Sequence, residues 1–508
     1  MNESRPIENS AITPDGTPIP RQRRRLPFIA MVLGAAAVAG LIAGIVSSRS
    51  EDATPDLVWT PIKGGLDQAT LAVPMNHEDP DGESLTLHVL RRPADDADAR
   101  IGSLIVNPGG PGFGAELMIK GAKDYFKADL LRRFDIVGFD PRGTGRSTPA
   151  IDCIDDFDTF TRELDITPAD EAARNEQLVT YTAFAESCIE RTGDAIAYMS
   201  THAVARDIDL LRQALGEEKI SYFGTSYGCQ LGATWATLFP DTVRAAVLDG
   251  CSDPTADPIE SARQQAIGFQ TSVEAFVAKC LEAGDECPIP HEGDPADALR
   301  ELWGVAAGVG IPSMPGRPAV NESILQTAII AAMYSEDIWP ALASGIAMAL
   351  DGDGSLLMRL NDAYTQRRED GTWGNELEAF SIISCLDDPA RPSADEREAL
   401  DAELSDIAPL IYPKGIYSGS FCDALPTAAD EPVTITGAGA PTLLVIGNSG
   451  DPATPFASTQ RMADAIASST LIAVESLDHG GYGTNDCVDE AVHNYLIDNE
   501  VPEGEKRC

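Results

Sequence analysis

The chain has 508 residues, of which 43% are hydrophobic and 23% charged, a composition typical of a globular protein longer than one average domain. Its 37 Lys and Arg against 80 Asp and Glu give a formal net charge of -43, and such a surface repels nucleic acid phosphates, so DNA and RNA are not expected partners. None of the ten cysteines stands in a C-x-x-C pair or other metal-type spacing, so they predict disulfides in an oxidising compartment and no metal centre.

The N-terminal region predicts a membrane anchor. Residues 1–25 are polar and end in an arginine cluster, which indicates a disordered cytoplasmic tail. The apolar stretch at 26–46 is about long enough to span a bilayer as a helix, and the arginines before it place the rest of the chain outside the cytoplasm. The alternative is a signal peptide whose cleavage would release a secreted protein.

After residue 56 the pattern predicts an α/β core. Three strands at 57–62, 69–74 and 85–90 are separated by turn signals, which favours an antiparallel start to a sheet. Strands at 103–106, 134–139 and 245–248 then alternate with helices at 167–191, capped by Thr167 with Pro168 in first position, and at 203–215. This alternation predicts a doubly wound, mostly parallel sheet, with the first part of the core at 57–254.

The middle of the chain predicts a helical cap inserted into that core at 255–378. Consecutive helical patterns occur at 260–281, 295–309, 324–333, 339–350 and 354–368. The second part of the core is predicted at 379–508, where 442–447 and 471–474 are the last two strands.

The run GTSYG at 224–228 predicts a nucleophile elbow, a strand-to-helix turn that holds a serine out into a cleft. A β-branched and aromatic segment at 219–223 precedes Ser226, and apolar residues recur at helical spacing after it until Pro240. The alternative is a glycine-rich turn with an inert serine.

A serine nucleophile needs a base and a group that orients the base. His479, in the glycine-rich loop 478–481 past the last predicted strand, is the candidate base. Asp451 follows the strand at 442–447 and completes the order Ser, Asp, His of α/β-hydrolases, while Asp249 and Asp478 are rival acids. The other five histidines are expected to have surface or packing roles: His77, His88, His202, His291 and His493.

The developing oxyanion needs backbone N–H donors. We expect one from Tyr227, directly after the nucleophile, and one from Gly110 in the loop 107–114. That loop matches neither the P-loop pattern nor G-x-G-x-x-G, so no nucleotide cofactor is expected.

Five ordered motifs resemble those of secreted tripeptidyl aminopeptidase-type α/β-hydrolases, which are related to proline iminopeptidases. They are NPGGPG from 107, FDPRGTGRS at 139–147, ARDIDLLR at 205–212, the elbow, and GDPATP at 450–455, and the resemblance covers about 59–508. It implies a serine exopeptidase that removes short peptides or single residues from a free N-terminus. It also implies that Arg142 and Asp140 support the site without reacting.

The cysteines depart from the family pattern. Family members commonly carry a cysteine after the first tryptophan, and 60–72 contains none. Because the strands that precede them should be neighbours, we hypothesise a disulfide between Cys229 and Cys251. Proximity and family habit suggest four further pairs: Cys153 with Cys188, Cys280 with Cys287, Cys385 with Cys422, and Cys487 with Cys508.

Three functions follow as hypotheses. The first is an extracytoplasmic aminopeptidase acting on peptides with a free N-terminus, whose amine Glu336 or Asp337 would bind. The second is an esterase or lipase acting on envelope lipids or acylated small molecules, and the third is an inactive hydrolase fold used for binding. The residues removed per cleavage and the oligomeric state stay open.

Overall fold

The structure is a computed structural model that describes residues 57–164, 166, 168, 170–290, 294–414 and 419–508. Its strands form one ten-stranded sheet. Its strands are β1 (Thr60–Ile62), β2 (Leu66–Pro74), β3 (Ser84–Arg92), β4 (Gly102–Asn107), β5 (Phe134–Phe139), β6 (Ile220–Thr225), β7 (Val243–Asp249), β8 (Leu443–Asn448), β9 (Ser469–Val474) and β10 (Lys506–Arg507). Their order across the sheet is β1-β2-β3-β5-β4-β6-β7-β8-β9-β10.

The pairing confirms the predicted antiparallel start and parallel remainder. β1, β2 and β3 pair antiparallel, as do β3 and β5. Every later neighbour is parallel. Strands β4, β5 and β8 are buried along their whole length, which explains the apolar residues at the centre of each.

The helices cover both faces of the sheet. They are α1 (Ala115–Lys120), α2 (Ala122–Tyr125), α3 (Ala128–Arg133), α4 (Phe157–Glu163), α5 (Glu171–Thr192), α6 (Thr201–Ala214), α7 (Tyr227–Leu238), α8 (Pro258–Ala283), α9 (Pro295–Ala306), α10 (Glu322–Met333), α11 (Trp339–Leu350), α12 (Ser355–Tyr364), α13 (Glu376–Asp387), α14 (Ala394–Ile407), α15 (Phe456–Ala465) and α16 (Asp486–Asp498). One apolar core packs α6 and α7 against the sheet, and another packs α1, α3 and α16 against it. The fold is therefore the predicted doubly wound α/β architecture.

Helices α8 to α12 bury one another in an apolar cluster of their own, which includes Phe276, Leu299, Ile329 and Leu342. Two more helices follow before β8. α13 packs into the core beside the sheet, whereas α14 packs through Leu400 and Leu404 on α8. The chain thus remains helical past residue 378, where we expected the core to resume, and the domain limits 57–254, 255–378 and 379–508 stay predictions.

Two local predictions were wrong. Helix α5 begins at Glu171, where the side chain of Asp170 caps it by accepting the N–H of Ala173, so it starts three residues after Pro168, the predicted first position. The predicted cap, Thr167, lies outside the described residues. Aspartate is as good a cap as threonine, and the sequence offers both. The strand at 469–474 is not the last, because β10 pairs parallel to it. β10 consists of two charged residues, Lys506 and Arg507, so it has no apolar pattern by which it could be predicted. The disulfide of Cys487 with Cys508 holds this segment beside β9.

The predicted tail and anchor, residues 1–25 and 26–46, lie outside the described residues. Among the helices of the described part, none is both long and apolar enough to cross a membrane.

Glu378 on α13 makes the stability of the fold depend on pH. Its side chain is nearly buried and accepts the N–H of Ile154 at 3.0 Å, and burial raises its pKa from 4.5 to about 7. A carboxyl whose folded pKa exceeds its unfolded value contributes stability that is complete below the unfolded pKa and is lost as pH rises through the folded one. We expect Glu378→Gln to flatten the decline of the free energy of unfolding between about pH 5 and pH 8, by about 2 kcal/mol.

Denaturant unfolding at several pH values measures this effect. Glu398→Gln is the control, because that glutamate is well exposed and changing it should leave the pH profile unchanged. Parallel profiles for wild type and Glu378→Gln would contradict the prediction.

Candidate active site

Ser226 stands at a sharp turn between β6 and α7. Its φ of 59° and ψ of -123° are rarely adopted by residues other than glycine. A Cβ on Gly224 would lie 2.4 Å from the carbonyl oxygen of Gly228, so the backbones approach closely enough to require glycine. The N–H of Ser226 donates to the carbonyl of Asp249 at 2.8 Å, which ties the turn to β7. This strand–turn–helix geometry is that of a nucleophile elbow.

His479 and Asp451 lie together beside this elbow. Nδ1 of His479 is 2.9 Å from Oδ1 and 3.0 Å from Oδ2 of Asp451, and both side chains are nearly inaccessible. Burial by itself lowers the pKa of His479, but the charge of Asp451 and its hydrogen bond, with a further contribution from the charge of Asp249, raise it overall. The carboxylate thus favours the protonated imidazole that a general base becomes.

The other ring nitrogen of His479 faces the interior. Nε2 is buried and has no hydrogen-bond partner among the described residues. The loop that carries His479 contacts the strand end that carries Ser226, since a Cβ on Gly480 would lie 3.4 Å from Cγ2 of Thr225. The serine–imidazole bond is therefore not closed in this structure, and such bonds commonly tighten only when substrate binds.

The two rival acids have other partners. Asp249 is fully buried and accepts the N–H groups of Gly481 and Tyr482 at 2.7 and 2.9 Å. Asp478 accepts the N–H of Glu336 at 2.8 Å. Of the three candidates, Asp451 alone is within hydrogen-bond distance of the imidazole.

The glycine-rich loop after β4 lies against the elbow. A Cβ on Gly109 would be 2.9 Å from Cβ of Ser226, so the backbone of Gly109, which we did not single out, lies against Ser226. Its N–H donates to Oδ1 of Asn107 at 3.0 Å and is not free for an oxyanion. The next N–H belongs to Gly110, whose φ of 111° also requires glycine. Tyr227 starts α7, where first-turn N–H groups lack helical acceptors.

The two expected amine ligands differ in their surroundings. Glu336 forms an ion pair with Lys279, so its charge is already matched. Asp337 is exposed. Both follow Tyr334, whose carbonyl accepts the N–H of His479 at 3.0 Å, so this short segment lies beside the histidine loop.

Sequence reasoning missed two side chains at the histidine. The ring of Tyr334 meets the imidazole edge-on, with 5.1 Å between ring centroids. The hydroxyl of Thr454 is 3.3 Å from Nδ1. Thr454 stands three residues after Asp451, which is a usable signal, whereas nothing in the sequence connects Tyr334 with His479.

The segment DPRG at 140–143 has structural contacts, as the resemblance implies. Arg142 is fully buried and donates to Asp207 at 2.6 and 2.8 Å. Asp140 accepts the N–H groups of Ala115 and Arg146. The other described histidines have packing partners: His77 with Asp207, His88 with Asp140, His202 with the N–H of Val433, and His493 with Tyr482. His291 lies outside the described residues.

Five disulfides join all ten cysteines. The pairs are Cys153 with Cys188, Cys229 with Cys251, Cys280 with Cys287, Cys385 with Cys422, and Cys487 with Cys508. These are the pairs hypothesised from the sequence. Such a set indicates a domain that matures outside the reducing cytoplasm.

The strained serine, the buried carboxylate and the imidazole follow strands β6, β8 and β9 in turn, at the carboxyl edge of the parallel sheet. Serine hydrolases of the α/β-hydrolase class are built in this way. Comparison with known families agrees, since residues 102–287 match the model described as alpha/beta hydrolase fold and residues 408–508 the model described as TAP-like protein.

Three relatives align over most of their length. The chain is 33% identical to serine protease Hip1 of Mycobacterium tuberculosis, covering 93% of this chain and 96% of the relative. It is 35% identical to carboxylesterase B of the same species, covering 87% and 86%. It is 29% identical to tripeptidyl aminopeptidase of Streptomyces lividans, covering 93% and 88%. The chain therefore belongs to the α/β-hydrolase family, in the group with a TAP-like C-terminal region, and is a serine hydrolase.

Proposed function

We propose that this hydrolase is an extracytoplasmic serine peptidase that removes short peptides or single residues from free N-termini. The observation that carries the proposal is the buried couple of His479 and Asp451 beside the strained Ser226. Relatives named as a serine protease and a tripeptidyl aminopeptidase support peptides as the substrate class.

The proposed chemistry is acyl transfer. Nε2 of His479 takes the proton from Oγ of Ser226 as Oγ bonds to the peptide carbonyl carbon. The N–H groups of Gly110 and Tyr227 stabilise the oxyanion. The imidazolium gives its proton to the amine as the C–N bond breaks, and water then releases the acyl group by the same route.

Specificity for a free N-terminus requires a negative group near the acyl end of the peptide. Of the two sequence candidates, Asp337 is the better one, because Glu336 is already paired with Lys279. The net charge of -43 adds a long-range attraction for cationic peptides. The apolar segment at 26–46 would hold the enzyme at the outer face of the membrane, or release it if cleaved.

The second candidate is an esterase, which the relative named carboxylesterase B favours. The same three side chains cleave esters, so geometry at the nucleophile does not separate the two activities. A binding protein without activity is disfavoured by the presence of all three side chains.

A substrate panel separates these functions. We expect turnover of unblocked peptide amides and at least about 10²-fold lower kcat/KM for the same peptides after N-acetylation, because acetylation removes the charge that the site binds. Turnover of short-chain esters alone would favour the esterase. Absence of turnover together with no labelling of Ser226 by a fluorophosphonate would favour the binding protein.

A further inference from the structure

Asp249 is a buried carboxylate that the proposed mechanism does not use. It ends β7, between β6 and β8 in the sheet, and is fully inaccessible to solvent. A buried carboxylate is costly unless its oxygens are bonded, so its partners indicate what it is for.

The partners of Asp249 belong to the two reacting loops. Its backbone carbonyl accepts the N–H of Ser226 at 2.8 Å. Its Oδ1 accepts the N–H of Gly481 at 2.7 Å, and its Oδ2 accepts the N–H of Tyr482 at 2.9 Å. One residue thus holds the nucleophile through its main chain and the histidine loop through its side chain.

Asp249 also lies close to the residues that pair with the imidazole. A Cβ on Gly480 would be 3.6 Å from Oδ2 of Asp249, and a Cβ on the adjacent Gly250 would be 3.3 Å from Oδ2 of Asp451. A Cβ at either glycine would therefore be at or near van der Waals contact with these carboxylates, so the loops of Asp249, Asp451 and His479 pack closely together. The charges of Asp249 and Asp451, at the ends of different strands, therefore both raise the pKa of His479.

We propose that Asp249 is a positioning residue that sets the distance between Ser226 and His479 and adds to the field that favours the imidazolium. The inference rests on the proposed roles of Ser226 and His479. Loss of either carboxylate bond would let the histidine loop shift, and a misplacement of about 1 Å in an active site can cost about 10²-fold in rate.

Asp249→Asn is the direct test because it keeps the shape. The amide retains one acceptor, so one of the two N–H groups would face an NH2 donor and lose its bond. We expect kcat for an unblocked peptide to fall by about 10²-fold with KM within about twofold of wild type. The pKa of His479, followed by NMR of labelled imidazole nitrogens in the full-length protein, should move down because one of its two negative neighbours is gone.

The matched control is Asp489→Asn. Asp489 is also buried and accepts the N–H of Gly483 in the same loop at 2.7 Å, but its charge acts on Tyr482 and His493 instead of His479. We expect this variant to lose stability and to leave the His479 titration unchanged. Equal effects of both variants on kcat and on the titration would overturn the proposal.

A measurement on the wild type covers the case in which Asp249→Asn does not fold. Burial raises the pKa of Asp249 to about 6, against the opposing bonds from Gly481 and Tyr482 and the charge of His479, while Asp451 adds to the rise. Tyr125 and Tyr482 face the same carboxylate. The amide resonances of residues 481 and 482 should move together near that pH, and that of Gly483 should not.

Resonances of Gly481 and Tyr482 that move no more than that of Gly483 over the whole pH range in which the protein is folded would contradict the proposal. The amide titration does not depend on activity. If Ser226→Ala stayed active, the proposed function would fail, but the amide resonances of residues 481 and 482 would still report the hydrogen bonds of Asp249. The two failures are therefore distinguishable.

Discussion

Ser226→Ala is expected to lower kcat/KM for an unblocked peptide by at least about 10⁵-fold, because removal of the nucleophile from a serine protease triad leaves only oxyanion stabilisation and binding. The fold should survive. Ser226 already has a φ of 59°, which the elbow imposes on any side chain there, and its N–H bond to Asp249 involves only the main chain.

The control is Ser221→Ala, in the same strand. Ser221 is buried and accepts a bond from Arg244, at the end of β6 away from the cleft. We expect this variant to keep its activity and to lose a little stability. Circular dichroism of both variants should match wild type, and residual activity of Ser226→Ala above a few per cent would refute the assignment of the nucleophile.

Asp451→Asn is expected to lower kcat by about 10⁴-fold with little change in KM, since an amide at this position stabilises the wrong imidazole tautomer. The carboxylate reaches Nδ1 with both oxygens and also accepts the N–H groups of Ala453 and Thr454. An asparagine retains only one acceptor for these donors. The acid limb of the kcat/KM profile should move to lower pH, because the charge that raises the pKa of His479 is removed.

Asp478→Asn separates the acid from its neighbour in sequence. Its carboxylate bonds the backbone of Glu336 and does not reach the imidazole, so we expect kcat within about threefold of wild type. A larger loss of kcat from Asp478→Asn than from Asp451→Asn would mean that Asp478, and not Asp451, orients the imidazole.

The elbow and its partners could be predicted because each follows a strand of the parallel sheet. Strands β6 and β8 are buried along nearly their whole length, β9 alternates between buried and partly exposed residues, and the residues just after parallel strands share one edge of the sheet. Chain order then selected Asp451 over Asp249 and Asp478, and the distances to Nδ1 agree with that choice.

Contacts between distant segments were not predictable in the same way. Tyr334 directly follows α10, whose sequence has no feature that distinguishes it from other apolar helices. Its ring and carbonyl come to lie beside His479 only when the chain folds. Gly109 and Gly110 are equivalent in sequence, and only the bond from Gly109 to Asn107 separates their roles. The disulfide pairs could be predicted only from proximity and family resemblance, because cysteine spacing alone does not define the pairing.

The central claim is that Ser226 carries the acyl group of a substrate with a free N-terminus. The most direct test is an acid quench during turnover of an unblocked tripeptide nitrophenyl ester, for which deacylation should limit the rate, followed by mass spectrometry of the digested protein. We expect a tripeptidyl adduct on the peptide that contains Ser226, and none in Ser226→Ala. Turnover with an unmodified Ser226, or an adduct on another residue, would contradict it.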